Sequence, residues 1–198
     1  MIEDLQAVLA ADDALQQANP IPFPLPIRGL EAVVVGSLTA LKRTDWWVPG
    51  LRERVGGIVR DVPIERLVDG FAGAKPYKIA PPSGAPALRA LYAVGLAKSM
   101  TEGCALVHLG TGSTADGAFT EALNLASLHA APVLFVVATT PITDDAPVGP
   151  QTNVALKVLA KAYQITFHSV DGRDAAAVQN VVAKARKAGG PHLIEAKR

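Results

Sequence analysis

C-A-L-V-H-L-G-T-G-S-T-A-D-G-A-F-T-E-A-L-N-L-A-S-L-H-A-A-P-V-L-F-V-V-A-T-T-P, residues 104–141, decides how the rest of the chain is read. An apolar run from Ala105 to Leu109 stops at Gly110-Thr111-Gly112. A second, Val133 to Val137, starts after Pro132 and stops at Thr139-Thr140-Pro141. Short apolar runs bounded by Gly or Pro are the pattern of buried strands. Between them Phe119, Leu123, Ala126 and Ala130 recur at helical spacing, with Thr114 or Asp116 as the cap. The stretch therefore predicts a strand–helix–strand unit with a right-handed crossover. Ligands of open parallel sheets bind outside such strand ends.

Downstream, the pattern repeats. A helix from Thr152 to about Tyr163, a strand from Ile165 to Val170, a helix from Ala175 to Ala188 and a strand from His192 to Ala196 are expected. The alternation predicts an α/β fold: a doubly wound parallel sheet of at least four strands with helices on both faces. Upstream, Ala87 to Met100 reads as an apolar helix, and Leu51–Arg60 and Pro63–Phe71 as short ones. Asp45-Trp46-Trp47-Val48-Pro49 reads as a loop whose tryptophans either pack or anchor an interface. The stretch Gly29–Leu41 is apolar on nearly every face, which predicts a helix buried in the core or at a subunit contact. Met1 to Ala18 reads as a helix, followed by N-P-I-P-F-P-L-P, an extended arm. The expected division is residues 1–27, helix and arm, and residues 28–198, one domain.

The chain has 198 residues and a net charge of +1, so it has no electrostatic footprint for nucleic acid or a charged membrane. A single cysteine, Cys104, excludes an internal disulfide framework and fits a reducing compartment. No apolar run is long enough to span a bilayer, and the start M-I-E-D-L-Q lacks a basic leader segment. These features together predict a cytoplasmic protein. The apolar stretch from Gly29, the paired tryptophans and the proline arm predict an oligomer.

Several motifs in order resemble the alpha subunit of the first component of 2-oxo acid dehydrogenase complexes, which depends on thiamine diphosphate. Gly110-Thr111-Gly112 stands where the family has G-D-G. Glu121-Ala122-Leu123-Asn124 matches E-A-L-N, and Thr139-Thr140 stands where it has N-N after an unchanged gap of 26 residues. Val170-Asp171-Gly172-Arg173-Asp174 resembles V-D-G-x-D, and Gly190-Pro191-His192-Leu193-Ile194-Glu195 resembles G-P-x-L-I-E. Gly29-Leu30-Glu31-Ala32 resembles G-Q-E-A, and Val48-Pro49-Gly50-Leu51-Arg52 the loop carrying Tyr-Arg. The resemblance covers residues 28 to 198 and implies the thiamine diphosphate-binding fold.

It also implies where a cofactor would sit. In the family the Asp of G-D-G and an Asn of N-N hold the magnesium that grips the diphosphate. Those positions are Thr111, Thr139 and Thr140 here. Magnesium prefers hard oxygen ligands, usually with one or two carboxylates. The weak diphosphate site implied is Gly110, Thr111, Gly112, Ser113 and Arg52, with no metal ligand and no catalytic residue. Leu30 and Leu51 replace the family's Gln and Tyr, Lys75–Ala85 is a shortened loop, and the family continues past the Arg198 position into a His-bearing loop. The expectation is a degenerate alpha-like chain with no cofactor, structural or regulatory, as a homo-oligomer or beside a beta-like subunit. The alternatives are the thiamine diphosphate- and magnesium-binding subunit of an active 2-oxo acid dehydrogenase or decarboxylase with a beta-like partner, or a binder of small phosphorylated metabolites.

Single residues admit two readings each. Gly110 and Gly112 either cradle a phosphate or make a turn that helix packing needs. Asp116 caps a helix or replaces the lost acid. His108 and His168 are core or edge histidines, and His129 suits a helix end. Glu31 is a candidate interface carboxylate.

Overall fold

The computed structural model describes residues 1–18, 26–69, 73–82, 85–140 and 153–198. Five strands run parallel: β1 (Trp46–Val48), β2 (Ala105–Gly110), β3 (Val133–Thr139), β4 (Thr166–Asp171) and β5 (His192–Lys197). Their spatial order is β1-β2-β3-β5-β4. The helices are α1 (Ile2–Ala18), α2 (Glu31–Thr39), α3 (Ile64–Val68), α4 (Leu88–Ser99), α5 (Gly117–Leu128), α6 (Leu156–Ala162) and α7 (Ala175–Ala188).

Side chains alternate across the sheet with the strand period of two. Leu106, Leu134, Val136, Ile194 and Ala196 face a layer made of α1, α2 and α7. Val107, Leu109, Val133, Phe135 and Leu193 face a layer made of α4, α5 and α6. Burial on both faces explains why β2 and β3 are apolar along most of their length, His108 being the polar exception within β2. Phe119 of α5 meets Phe135 edge-to-face at 6.3 Å, a geometry worth about 1 kcal/mol beyond its buried area. On the other face α2 lies against α7. A Cβ on Gly36 would stand 2.4 Å from the Ala175 carbonyl, so only glycine permits that approach.

The order of connections fixes where the sheet reverses. The chain steps from β1 to β2 to β3 in one direction, then passes over to the edge as β4 and returns to β5 beside β3. The helix following β3 covers one face and the helix following β4 the other. The crevice of such a sheet opens at the carboxyl ends on either side of that reversal.

Two expectations of local structure change. The tryptophan stretch is a strand, not a loop: Trp46 N–H reaches the Cys104 carbonyl, and Trp47 N–H reaches the Lys78 carbonyl. Leu51–Arg60 is a 3-10 helix, Glu53–Arg60, whose central Gly56-Gly57 disfavours α-helix. Asp61 closes it in the left-handed region at φ 62°. Of the apolar residues read as favouring an oligomer, Val33, Val34 and Val35 of α2 and Trp47 are buried within the chain. Trp46 is half-buried under the Lys78 ammonium, 5.3 Å from its ring centroid. The proline arm's residues 19–25, Phe71 and the Thr152 cap lie outside the described residues. Asp116, not Thr114, caps α5, taking the Ala118 N–H at 2.8 Å. Among the described residues, no helix is long and apolar enough to cross a membrane.

Candidate functional site

The carboxyl ends of β2 and β3 lie side by side, Gly110 paired with Ala138. Beyond β2 the chain turns into a short 3-10 helix, Thr111–Ala115, before α5. Thr111 leans across to the neighbouring strand. Its hydroxyl faces the Ala138 carbonyl at 3.4 Å and accepts the Thr140 N–H at 3.3 Å. Thr114 turns its hydroxyl back to the Thr111 carbonyl at 2.7 Å. Ser113 and Thr114 are buried. The loop is thus held by neutral hydroxyls, and the Thr111 oxygen is committed to the backbone of the next strand.

Among the described residues, a Cβ on Gly110 or on Gly112 would meet no atom within 4 Å. No described side chain demands glycine there. Arg52 follows β1, half-buried, at the start of the Glu53–Arg60 helix. β1 is the strand next to β2 on the side away from β3.

Among the described residues, these tips offer magnesium no carboxylate. Thr111, Thr139 and Thr140 offer hydroxyl and carbonyl oxygens without a carboxylate charge, whereas the ion usually keeps one or two carboxylates. Asp116 is occupied as a cap. Among the described residues, no cluster of three or more His, Cys, Asp or Glu side chains could hold a metal.

The strongest polar constellation lies elsewhere and has no local signal in the sequence. Asp45, fully buried, takes the Arg186 Nε–H at 2.5 Å and Nη2–H at 3.1 Å, the Lys42 N–H at 2.6 Å and the Cys104 N–H at 2.9 Å. Burial works to raise this carboxyl, but the Arg186 bond and the two backbone donors outweigh it and hold it below the usual range. Arg60, also buried, donates to the Tyr77 and Asp45 carbonyls at 3.0 Å each. This network ties the loop before β1 to α7 and is structural.

Three histidines are placed as core or edge residues. The Nδ1 of His108 accepts the Trp47 indole N–H at 2.9 Å. Its Nε2 is buried without a partner, and burial, with the Arg89 guanidinium nearby, pushes its pKa down to about 3. His168 Nε2 and His192 Nδ1 stand 3.1 Å apart, with His192 Nε2 on the Gly189 carbonyl at 3.0 Å. Because a carbonyl only accepts, His192 carries its proton on Nε2, and His168 is the donor within the pair. His129 closes α5, exposed, and Glu31 is half-buried in the first turn of α2.

The comparisons with known proteins agree with the fold. A family model described as "Dehydrogenase E1 component" matches residues 5–198. The 3-methyl-2-oxobutanoate dehydrogenase subunit alpha of Mycobacterium tuberculosis is 32% identical over 92% of this chain and 54% of its own length. The pyruvate dehydrogenase E1 component subunit alpha of Bacillus subtilis is 29% identical over 92% of this chain and 53% of its own. The chain thus spans about half the length of these relatives. Among solved structures, transketolase from Campylobacter jejuni superposes with a TM-score of 0.72 at 19% identity, covering 100% of this chain and 38% of that one. The fold is therefore the thiamine diphosphate-binding α/β fold.

Proposed function

The chain belongs to the dehydrogenase E1 component family, and from that premise we propose that it is an alpha-subunit-like protein whose magnesium–diphosphate site has lost the ion's ligands. It acts as a structural or regulatory subunit, paired with itself or with a beta-like chain. The observation that carries this is Thr111, which stands at the family's carboxylate position with its hydroxyl bonded across to the end of β3. A neutral oxygen already engaged with backbone is a poor substitute for a charged ligand of a doubly charged ion. Calorimetry of the chain with thiamine diphosphate, with and without magnesium, tests it. No magnesium-dependent heat is expected, and micromolar magnesium-dependent binding would overturn it.

One observation favours a second reading, a cofactor-binding subunit of an active 2-oxo acid dehydrogenase or decarboxylase. Among the described residues nothing stands within 4 Å of a Cβ at Gly110 or Gly112, which leaves room for a phosphate beside that backbone. In such an enzyme the thiamine cofactor supplies carbanion stabilisation, and the protein supplies binding and orientation. Gly110, Gly112 and Arg52 would hold its diphosphate. Turnover of a 2-oxo acid by the chain with a beta-like partner supports this reading, and a stable pair without turnover rejects it.

A further inference from the structure

A second cleft opens at the same edge of the sheet, on the other side of the reversal. The carboxyl ends of β4 and β5 border a cavity of about 370 Å³ lined by Ser169, Val170, Asp171, Arg173, Lys197 and Arg198. That volume is in the range of small-ligand sites. Three of the six lining residues are cations and one is an acid, so the lining carries a net charge of about +2.

The backbone there is already satisfied. Gly172 N–H is bonded to the Lys197 carbonyl at 2.7 Å. The first N–H groups of α7 are taken by the Asp174 cap. Arg198 N–H goes to the Thr139 carbonyl at 2.9 Å, fixing the end of β5 against β3. A ligand would therefore be held by side chains rather than by a helix terminus. Arg173 forks onto Asp171 at 3.0 and 3.2 Å, but this pair stands in solvent, with side-chain exposures of 76% and 50%. Exposed pairs are worth little and exchange partners readily. Lys197 lies 3.8 Å from Glu195, at the edge of ion-pair range, and is 64% exposed.

We propose that this cleft binds the phosphate group of a small metabolite, with Arg173 and Lys197 as the principal side chains and Ser169 offering a hydroxyl. A dianion matches the net charge of the lining. The planar Arg173 fork pairs with phosphate as it does with carboxylate, so phosphate displaces Asp171 without leaving Arg173 unsatisfied. The site adjoins the β3 tip, Lys197 being in register with Thr139, but its lining does not include Thr111 and it makes no use of magnesium.

Heteronuclear NMR of the full chain tests it, titrating inorganic phosphate at constant ionic strength in the presence of a chelator. Saturable shifts are expected at the amides of Asp171, Gly172, Arg173 and Lys197. Lys197→Ala and Arg173→Ala should each weaken binding by about threefold to tenfold, as loss of one charge-assisted contact does. Lys157→Ala, on the exposed side of α6, should leave it unchanged. Shifts that grow linearly without saturating, that centre on Gly110–Gly112 instead, or that survive both charge removals overturn the proposal. Because cofactor and magnesium are absent from the titration, its failure leaves the reading of the Thr111 tips standing, and its success does not depend on that reading.

Discussion

Trp47 on β1 donates its indole N–H to Nδ1 of His108 on β2, 2.9 Å away, inside the layer between the sheet and α2. The bond sets the histidine's tautomer. Nδ1 must be the acceptor, so the proton sits on Nε2, where no partner is present. A second proton would have to displace the indole donor in a site that water does not reach, which is why the imidazole stays neutral.

That neutrality makes stability depend on pH. The folded pKa is depressed to about 3 from the ordinary 6.5. Above pH 6.5 the ring is neutral in both states and its contribution is fully present. As pH falls below 6.5 the unfolded chain takes up a proton that the folded chain refuses. Unfolding free energy then falls by up to ~1.4 kcal/mol per pH unit for this one group. His168 and His192 are also depressed, by burial first, and add to the slope in the same direction. Urea titrations from pH 7.5 to pH 5 should show the decline, and His108→Leu should flatten it. At pH 7.5 the same substitution should cost about 1–3 kcal/mol, because Trp47 loses its acceptor. An unchanged slope in His108→Leu would contradict the assignment.

Asp45 and Arg186 make the second test. Asp45→Ala strips the acceptor from Arg186 and from the Lys42 and Cys104 N–H groups at once. A loss of about 3–5 kcal/mol is expected, the scale for breaking a buried pair by removing one partner. Arg186→Met should cost less, since the backbone donors still serve the carboxylate. The double variant should be less destabilised than the sum of the two. Because the Asp45 carboxyl is held low, its contribution is present above the ordinary carboxylate pKa of 3.8 and is lost as pH falls through the lower folded value. Chemical denaturation of the three variants checks the coupling.

How much of this was legible beforehand differs by element. The β2–α5–β3 unit was readable because its strands are buried on both faces and therefore largely apolar, His108 being the polar exception in β2. β1 was not, because three residues beside Pro49 carry no period. Trp46–Val48 becomes a strand only through its pairing with Ala105–Val107. The threonines at the strand ends were visible from motif order and spacing, whereas the Thr111 bridge depends on the register that sets Gly110 beside Ala138. Asp45 and Arg186 lie 141 residues apart, so no local pattern links them. The cation-lined cleft joins the turn after β4 to the end of β5, two segments whose adjacency follows from the strand order.

Cys104 should be inert in the native protein. Burial, and then the Asp45 carboxylate, push its thiol up to about 12, and thiolate is the reactive form. Iodoacetamide at pH 8 should label it in urea and leave it unlabelled in buffer, by mass spectrometry. Rapid native labelling would mean that the Asp45 network opens.

The glycines of the two regions should part company. Gly36→Ala puts a methyl against the Ala175 carbonyl and Val178, and should cost about 1–3 kcal/mol through overpacking of α2 on α7. Gly110→Ala and Gly112→Ala meet nothing and should change stability by less than about 0.5 kcal/mol. Thermal and urea unfolding compare them directly. A large loss at Gly112 would mean that the fold itself requires that glycine.

Restoring the missing ligands is the sharpest test of the proposed loss. The triple variant Thr111→Asp, Thr139→Asn, Thr140→Asn returns a carboxylate and two amides to positions that the sheet already holds adjacent, with Thr111 bonded to Ala138 and Thr140. The aspartate gives up the hydroxyl donor to the Ala138 carbonyl, so a modest destabilisation of about 1 kcal/mol is expected without metal. Magnesium should reverse it, because an ion bound only by the folded chain raises stability by mass action. The expected pattern is no magnesium-dependent shift in melting temperature for the parent chain with thiamine diphosphate, and a clear one for the variant. A shift already present in the parent would mean that the threonines suffice as ligands. Absence in both would mean that the loss extends past these three positions, and Leu51 and Leu30 would be the next to restore.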